Sequence, residues 1–401
     1  MLPFLMPRIF RPVMIEAWGL SNQEIGTAFS IYGLSAMASY ILGGPLADKF
    51  RANVLISLSL LLTSLGGFLL IFYPSKWIFY FCYFYFGIST ILFMWGAMIK
   101  VAHEFGGESG RSSTMGLLDG GRGLTAALMG WLLMFLSSKL IVDQMGSLEY
   151  SEILSQVLWI ISLGLIILAI LCYFFIEGLE SKQLKKWNIP ESILILKRPD
   201  TWLLSLIILT SYSAYKSIDL FSVYLVDMHG LSSIEASRKT SYLLWLRPLS
   251  AISFGFLVDY MVNKFNLSRY LFLSILLVVS SVCAFMLSYH NLFTYHFILM
   301  TLVLSSLFAF ALRAIYFSVF GENQTPSHLV GTTIGVVSLV GFMPDFFYGI
   351  ITGYFIDSFP GHKGYQYSFI FTGLLLSVGA VASFISLFMS RRASNDARVF
   401  F

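Results

Sequence analysis

An all-α protein that crosses a membrane many times is the fold class this sequence predicts, and three observations predict it. Hydrophobic residues make up 57% of the 401 positions and charged ones only 11%, with a mean hydropathy of +0.79. A soluble core of that size would need far more polar surface. The apolar residues also gather in runs of the length a bilayer demands, since a core of about 30 Å takes roughly 20 residues of helix. Finally, Lys and Arg collect in alternate connections between those runs, as the positive-inside rule requires of a multi-spanning chain.

In chain order the runs lie at 24–45, 53–73, 77–99, 113–136, 153–176, 200–226, 235–258, 270–288, 295–319, 331–355 and 367–389, which predicts eleven spans. Met1 to Phe10 precedes them, apolar apart from Arg8 and too short to cross. It reads as the outer end of a truncated first helix, one whose beginning lies outside this sequence. The other reading is a short interfacial segment beside eleven spans.

The longest polar interruption runs from Glu177 to Asp200 and carries Lys185-Lys186 and Lys197-Arg198. It divides the chain into a first bundle at 1–177, a cytoplasmic linker at 178–199, a second bundle at 200–390 and a cytoplasmic tail at 391–401. The halves echo each other: Gly116 and Gly130 have the same spacing as Gly335 and Gly349. Parallel repeats of this kind are a transporter arrangement, with substrate at their interface near the midplane.

Gly43-Gly44-Pro45-Leu46-Ala47-Asp48-Lys49-Phe50-Arg51 packs a carboxylate and two cations into a short connection between apolar runs. The pattern returns as Gly255-Phe256-Leu257-Val258-Asp259. The first copy resembles the loop signature of the major facilitator superfamily, G-x-L-A-D-R/K-x-G-R-R, although Arg51 and Ala52 stand where the family has Gly and Arg. The second keeps the Gly, the Leu and the Asp.

That resemblance implies a fold of two six-helix pseudo-symmetric bundles, with the signature between helices 2 and 3 and a degenerate copy between helices 8 and 9. Twelve spans put both copies on one side. If that side is cytoplasmic, it holds most of the basic residues, Lys49, Arg51, Lys185 and Arg391 among them. The opposite face keeps Arg8, Arg11, Lys76, Lys139, Arg238, Lys239 and Lys363. The sequons at Asn266 and Asn323 then fall on the cytoplasmic side and are expected to stay unmodified. The expected location is a bacterial cytoplasmic membrane.

Charges inside a bilayer cost at least ~2.5–3.5 kcal/mol at helix centre, so each asks for a reason. The runs at 53–73, 153–176, 270–288 and 367–389 carry no Asp, Glu, Lys or Arg. The resemblance implies that these four face lipid while the others line or flank an aqueous path. On those others lie Asp119, Arg122, Lys216, Asp219, Arg247, Arg313 and Asp345. Asp119–Arg122 and Lys216–Asp219 are each three apart, close enough to pair on one helix. Such a pair either serves function or merely neutralises charge so that the helix inserts.

Arg247 and Arg313 have no acidic neighbour within a turn, so they either pair across helices or capture an anion. The planar fork of Arg suits carboxylate and phosphate bidentately, whereas Lys is a point charge. The substrate-binding candidates are therefore Arg122, Lys216, Arg247 and Arg313, with Tyr212, Tyr215 and Tyr316 beside them. Coupling or gating falls to Asp48, Asp119, Asp219, Asp259 and Asp345. Pro344 and Gly341 next to Asp345 mark a gating bend, because Pro removes a helical hydrogen bond and Gly lets the chain flex.

Several function classes are excluded by the same residues. A net charge of +4 spread among loops does not suit nucleic acid. Cys82, Cys172 and Cys283 lie in apolar runs without metal-ligand spacing or a disulfide framework. The six His residues form no cluster, and no nucleophile–base grouping or metal site can be assembled. Gly120-Gly121-Arg122-Gly123 lacks the strand that a phosphate loop follows. No enzyme activity and no cofactor are expected.

The expectation is a monomeric secondary active transporter of a small organic anion in the lipid bilayer, coupled to a proton or a counter-anion. It looks most like the organic-anion and sugar-phosphate branches of the superfamily. A proton-coupled drug or metabolite exporter is the runner-up, and a non-transporting membrane sensor is the alternative of another class.

Overall fold

Lipid offers the backbone no hydrogen bonds, so spanning segments must close their own as helices. The computed structural model describes residues 2–72, 74–95, 97–98, 101, 120–131, 135, 147–176, 197–265, 267–316, 318–321 and 337–399. Among them there is no strand, and the helices follow the apolar runs.

The first are α1 (Leu2–Trp18), α2 (Asn22–Lys49), α3 (Ala52–Phe72) and α4 (Lys76–Gly87), the last continuing as a π-helical stretch, Ile88–Trp95. Then come α5 (120–131) and α6 (Ser147–Phe175). α7 (Pro199–Ser217) passes through a 3₁₀ turn, Ile218–Leu220, into α8 (Phe221–His229). α9 (Ser233–Leu243), α10 (Leu246–Phe265), α11 (Arg269–Ser288) and α12 (Tyr295–Ile315) follow. A helical turn at 337–341 breaks at 342–343 before α13 (Pro344–Ser358), and α14 (His362–Val399) closes the described chain.

Eight helical stretches among the described residues are long and apolar enough to cross a membrane. Of the other expected spans, 24–45 lies within α2, 200–226 is divided at the 3₁₀ turn, and 113–136 is described only in part.

Local chemistry sets the helix starts. Ser21 and Glu24 form a reciprocal capping box at α2, with the Glu24 N–H donating to Ser21 Oγ at 3.1 Å and the Ser21 N–H to Glu24 Oε2 at 2.9 Å. Ser232 and Glu235 do the same for α9. The exposed faces are apolar: Val54, Leu58, Leu61 and Leu65 form a helical stripe on α3, and Ile275, Val278 and Val282 one on α11.

The chain divides into two compact units. The first comprises Met1–Lys185, Asp219–Leu244 and Asp345–Gly364, the second Lys186–Ile218, Trp245–Pro344 and Tyr365–Phe401. In the first, α3 packs on α6 and α2 on α4, while α1 lies against α6, α8 and α9. In the second, α12 is the centre, with α7, α10 and α11 against it. The chain passes from unit to unit at 185/186, 218/219, 244/245, 344/345 and 364/365; the second, third and fourth of these fall at or next to a helix interruption, and the last falls in the first turn of α14.

Four expectations about element ends need correction. The first helix does not end near Phe10 but runs to Trp18, so Arg8 and Arg11 are buried at 4% and 1% exposure rather than set on an outer face. Hydropathy under-reads this stretch because Pro7, Arg8, Arg11 and Pro12 interrupt its middle. Asp48 is in the last turn of α2 and not in a loop, the connection to α3 being Phe50–Arg51 alone. Asp259 likewise sits inside α10, which continues to Phe265. Lys216 and Asp219 do not share one α-helix, since α7 stops at Ser217.

Candidate substrate and coupling sites

The second unit gathers the aromatic and cationic candidates around the end of α7. That helix is rich in Ser and Thr, and their hydroxyls turn back on its own carbonyls: Ser205 to Thr201 O at 2.8 Å, Thr210 to Leu206 O at 2.9 Å, Ser213 to Leu209 O at 2.9 Å. Satisfied in this way, they can be buried in a spanning helix. Tyr212, Tyr215 and Lys216 occupy its last turns, all buried, Lys216 at 1%. A cation there is favoured by the helix C-terminus, and Arg313 has the same position in the last turn of α12.

Two guanidiniums converge on one tyrosine ring. Arg313 Cζ lies 4.5 Å from the Tyr215 centroid and 5.7 Å from that of Tyr212, while Arg247 Cζ, from α10, lies 5.8 Å from Tyr215. Each distance is within cation–π range, worth about 0.5–2 kcal/mol. The rings are themselves held: Tyr212 and Tyr215 are 5.5 Å apart, Phe342 meets Tyr212 edge-on at 4.9 Å, and Phe310 meets Tyr215 at 6.1 Å. Arg247, Arg313, Tyr212 and Tyr215 thus form one cluster. Tyr316 is buried in the turn after α12. Phe342 was not anticipated; it stands at the helix break that Gly341 and Pro344 had marked.

The first unit holds buried ionic contacts that the sequence did not predict. Arg8 Nε donates to Asp219 Oδ1 at 2.5 Å, a buried ion pair between α1 and the 3₁₀ turn. One turn on, Arg11 Nε donates to Asn22 Oδ1 at 2.9 Å and its Nη2 to the Asn22 carbonyl at 3.0 Å. The Ser233 hydroxyl donates to the Glu16 carboxylate, which ties α1 to the start of α9. Sequence reading missed Arg8 and Arg11 as site residues. Two arginines three apart in an otherwise apolar stretch were the signal, because such spacing puts both on one helix face.

Arg122 on α5 is half-buried, with its Cζ 5.3 Å from the Trp95 centroid at the end of the π-helical stretch. Asp345 is half-buried in the first turn of α13. Asp259 is 56% exposed and pairs with Arg269 at 2.8 Å, a surface contact between α10 and α11. Asp119 lies outside the described residues, as does the side chain of Asp48. The described residues include no His, Cys, Asp and Glu grouping able to hold a metal, and Cys82, Cys172 and Cys283 are unbridged.

Comparison with known proteins bears on this arrangement. The chain is 28% identical to the inner membrane protein YqcE of Escherichia coli K12 over 396 residues, covering 97% of this chain and 91% of that one. It is 24% identical to the inner membrane protein YihN of the same organism over 394 residues, covering 95% and 90%. Among solved structures it resembles an inward-facing, unoccupied bacterial homologue of the human lysosomal transporter Spinster, with a TM-score of 0.70, 15% identity and coverage of 98% and 96%. A variant of the nucleoside transporter NupG gives a TM-score of 0.72 at 14% identity, with coverage of 96% and 97%. The family model described as Major Facilitator Superfamily matches residues 4–348. That match runs from α1 into α13, so the chain belongs to the major facilitator superfamily, a multi-pass membrane transporter and not an enzyme.

Proposed function

We propose that this transporter moves a small organic anion, a sugar acid, carboxylate or organophosphate, by alternating access coupled to a proton or a counter-anion. The observation that carries the reading is the pair of guanidiniums on Tyr215, from α10 and α12. A guanidinium held near a ring is oriented, and its charge-assisted hydrogen bonds to an oxyanion are roughly twice as strong as neutral ones. Lys216 and Arg122 add positive charge, and Tyr212 and Tyr316 add hydroxyls. Asp219, Asp345 and Asp119 are the carboxylates proposed for coupling, Asp48 and Asp259 those for exchange between states. The chain acts as a monomer whose halves, 1–177 and 200–390, are the moving bodies.

The aromatic cluster of Tyr212, Tyr215, Phe310 and Phe342 favours a second reading, a drug or metabolite exporter with a neutral or cationic cargo. One screen separates the two. Anions, a neutral nucleoside and a cationic dye are each tested for thermal stabilisation of the purified full chain, since a binder favours the native state by mass action. An anion is expected to stabilise most. Arg313→Lys then weakens its binding about tenfold, and Arg247→Gln at least as much, at unchanged membrane abundance, because one charge-assisted bond is worth about 1.5–3 kcal/mol. Normal anion binding by both variants, or preference for the neutral or cationic compound, overturns the anion reading.

A further inference from the structure

We propose that the groove between α7 and α14 binds an anionic phospholipid, with one acyl chain in the groove and the phosphate at the basic ends of the two helices. Both helices belong to the second unit here, and they run antiparallel. At Gly379 they touch, since a Cβ there would lie 2.0 Å from the Thr210 hydroxyl oxygen. Further along α7, Ala214 and Ser217 share a small cavity with Phe369, Thr372 and Leu376. In the other direction, toward the start of α7, a groove of about 320 Å³ lies between the helices. Leu203 and Leu206 line it from α7, and Val378, Val381, Ala382 and Ile385 from α14. The small side chain of Ala382, between Val378 and Ile385 on that face, leaves the surface concave. Ser377 also lines the groove, but its hydroxyl turns back to the Gly373 carbonyl at 2.9 Å, so the lining stays apolar.

The end of this groove is positively charged. Counting eleven residues from the Thr210–Gly379 contact in the antiparallel register sets Pro199 level with Ser390. The segments 197–202 and 386–394 carry Lys197, Arg198, Arg391 and Arg392 against one carboxylate, Asp200. Arg198 grips that carboxylate with both prongs, Nη2 to Oδ2 at 2.7 Å and Nε to Oδ1 at 3.1 Å, which fixes the turn into α7 and neutralises Asp200. Lys197 is exposed, and Arg391 and Arg392 continue α14 past the groove. Trp202, in the first turn of α7, is 49% exposed, an aromatic of the kind that sits at headgroup level.

An apolar groove alone accepts any acyl chain. One that ends in net positive charge also selects the headgroup, because cations beside a membrane attract anionic lipid. The orientation expected from the basic residues puts this end in the cytoplasmic leaflet. A lipid held there braces α7, whose other end carries Tyr212, Tyr215 and Lys216. The nature of the cargo plays no part in this inference.

The test uses the purified full chain, stripped of lipid in a neutral detergent. Dioleoyl phosphatidylglycerol, dioleoyl phosphatidylcholine and inorganic phosphate are each titrated, with the unfolding midpoint and native mass spectra as readouts. Phosphatidylglycerol should raise the midpoint and remain bound as one molecule per chain, while the other two do neither at the same concentration. Lys197→Gln should cut the preference for phosphatidylglycerol over phosphatidylcholine about fivefold, the scale of one cation near a membrane surface. Adding Arg391→Gln and Arg392→Gln should abolish it; Arg198 is kept in every variant because it holds the turn. Val381→Trp fills the groove from an exposed position and should lose the bound lipid at an unchanged lipid-free midpoint. Equal binding of the two lipids, stabilisation by phosphate alone, or a full preference in the triple Gln variant overturns the proposal. So does a dimer of this chain that Val381→Trp dissociates, since a second copy would then cover the groove.

Discussion

Asp219 shows at the scale of one residue how a tertiary contact assigns a partner that spacing cannot. Three positions from Lys216, it looked like half of a local pair; in the folded chain it accepts Arg8 from α1, 211 positions away. Both side chains are almost fully buried, so the pair is sensitive to the loss of either member. Breaking a buried pair costs about 3–5 kcal/mol, because the remaining charge stays in low dielectric. Arg8→Ala and Asp219→Ala should therefore each lower the unfolding midpoint markedly, since each leaves one buried charge without the other. The Arg8→Ala, Asp219→Ala double variant should be more stable than the sum of the single losses predicts. Additive effects in that cycle would show that the two side chains do not depend on each other. Arg247, Arg313, Tyr212 and Tyr215 were legible as candidates because a charge or a tyrosine in an apolar run asks for a reason. Their convergence on one ring was not, because the helices that bear them are far apart in sequence.

At the scale of elements, composition located the helices but not their interruptions. The π-helical stretch Ile88–Trp95 follows α4 without any proline, and part of its support comes from α3. Ser59 Oγ donates to the Ser89 carbonyl at 2.7 Å, and the Thr63 and Ser89 hydroxyls are 3.1 Å apart. A widened helix misaligns carbonyls, and a hydroxyl from the neighbouring helix compensates. Ser59→Ala should cost about 1 kcal/mol, the net value of one buried hydrogen bond, read as a lower thermal midpoint at unchanged helix content; a neutral result would mean that the π turn needs no outside donor. The break before α13 was legible, because Gly341 and Pro344 are a local chemical signal. The breaks at Ile218–Leu220 and at 244–245 carry neither residue and came only with the folded chain.

For the whole molecule, the basic residues still predict the side on which the connections lie. Cysteines introduced at Ser181 and Ser394 should resist an impermeant thiol reagent in intact cells and react once the membrane is opened. Labelling of either from outside would reverse the orientation.

The sequence by itself determined that this chain is an all-α membrane protein, and with its Asp48 motif it pointed to the family. The physical reason is that a bilayer acts on each span separately, so length, apolarity and charge placement decide insertion before any helix meets another. Only the tertiary structure decided which helix neighbours which, and hence that Arg8 meets Asp219, that Arg247 and Arg313 share Tyr215, and that Asp357 accepts the Asn22 and Gln23 N–H groups of α2. Lipid is as apolar as the helices it surrounds, so partner choice rests on close packing and a few directed polar contacts between residues remote in sequence.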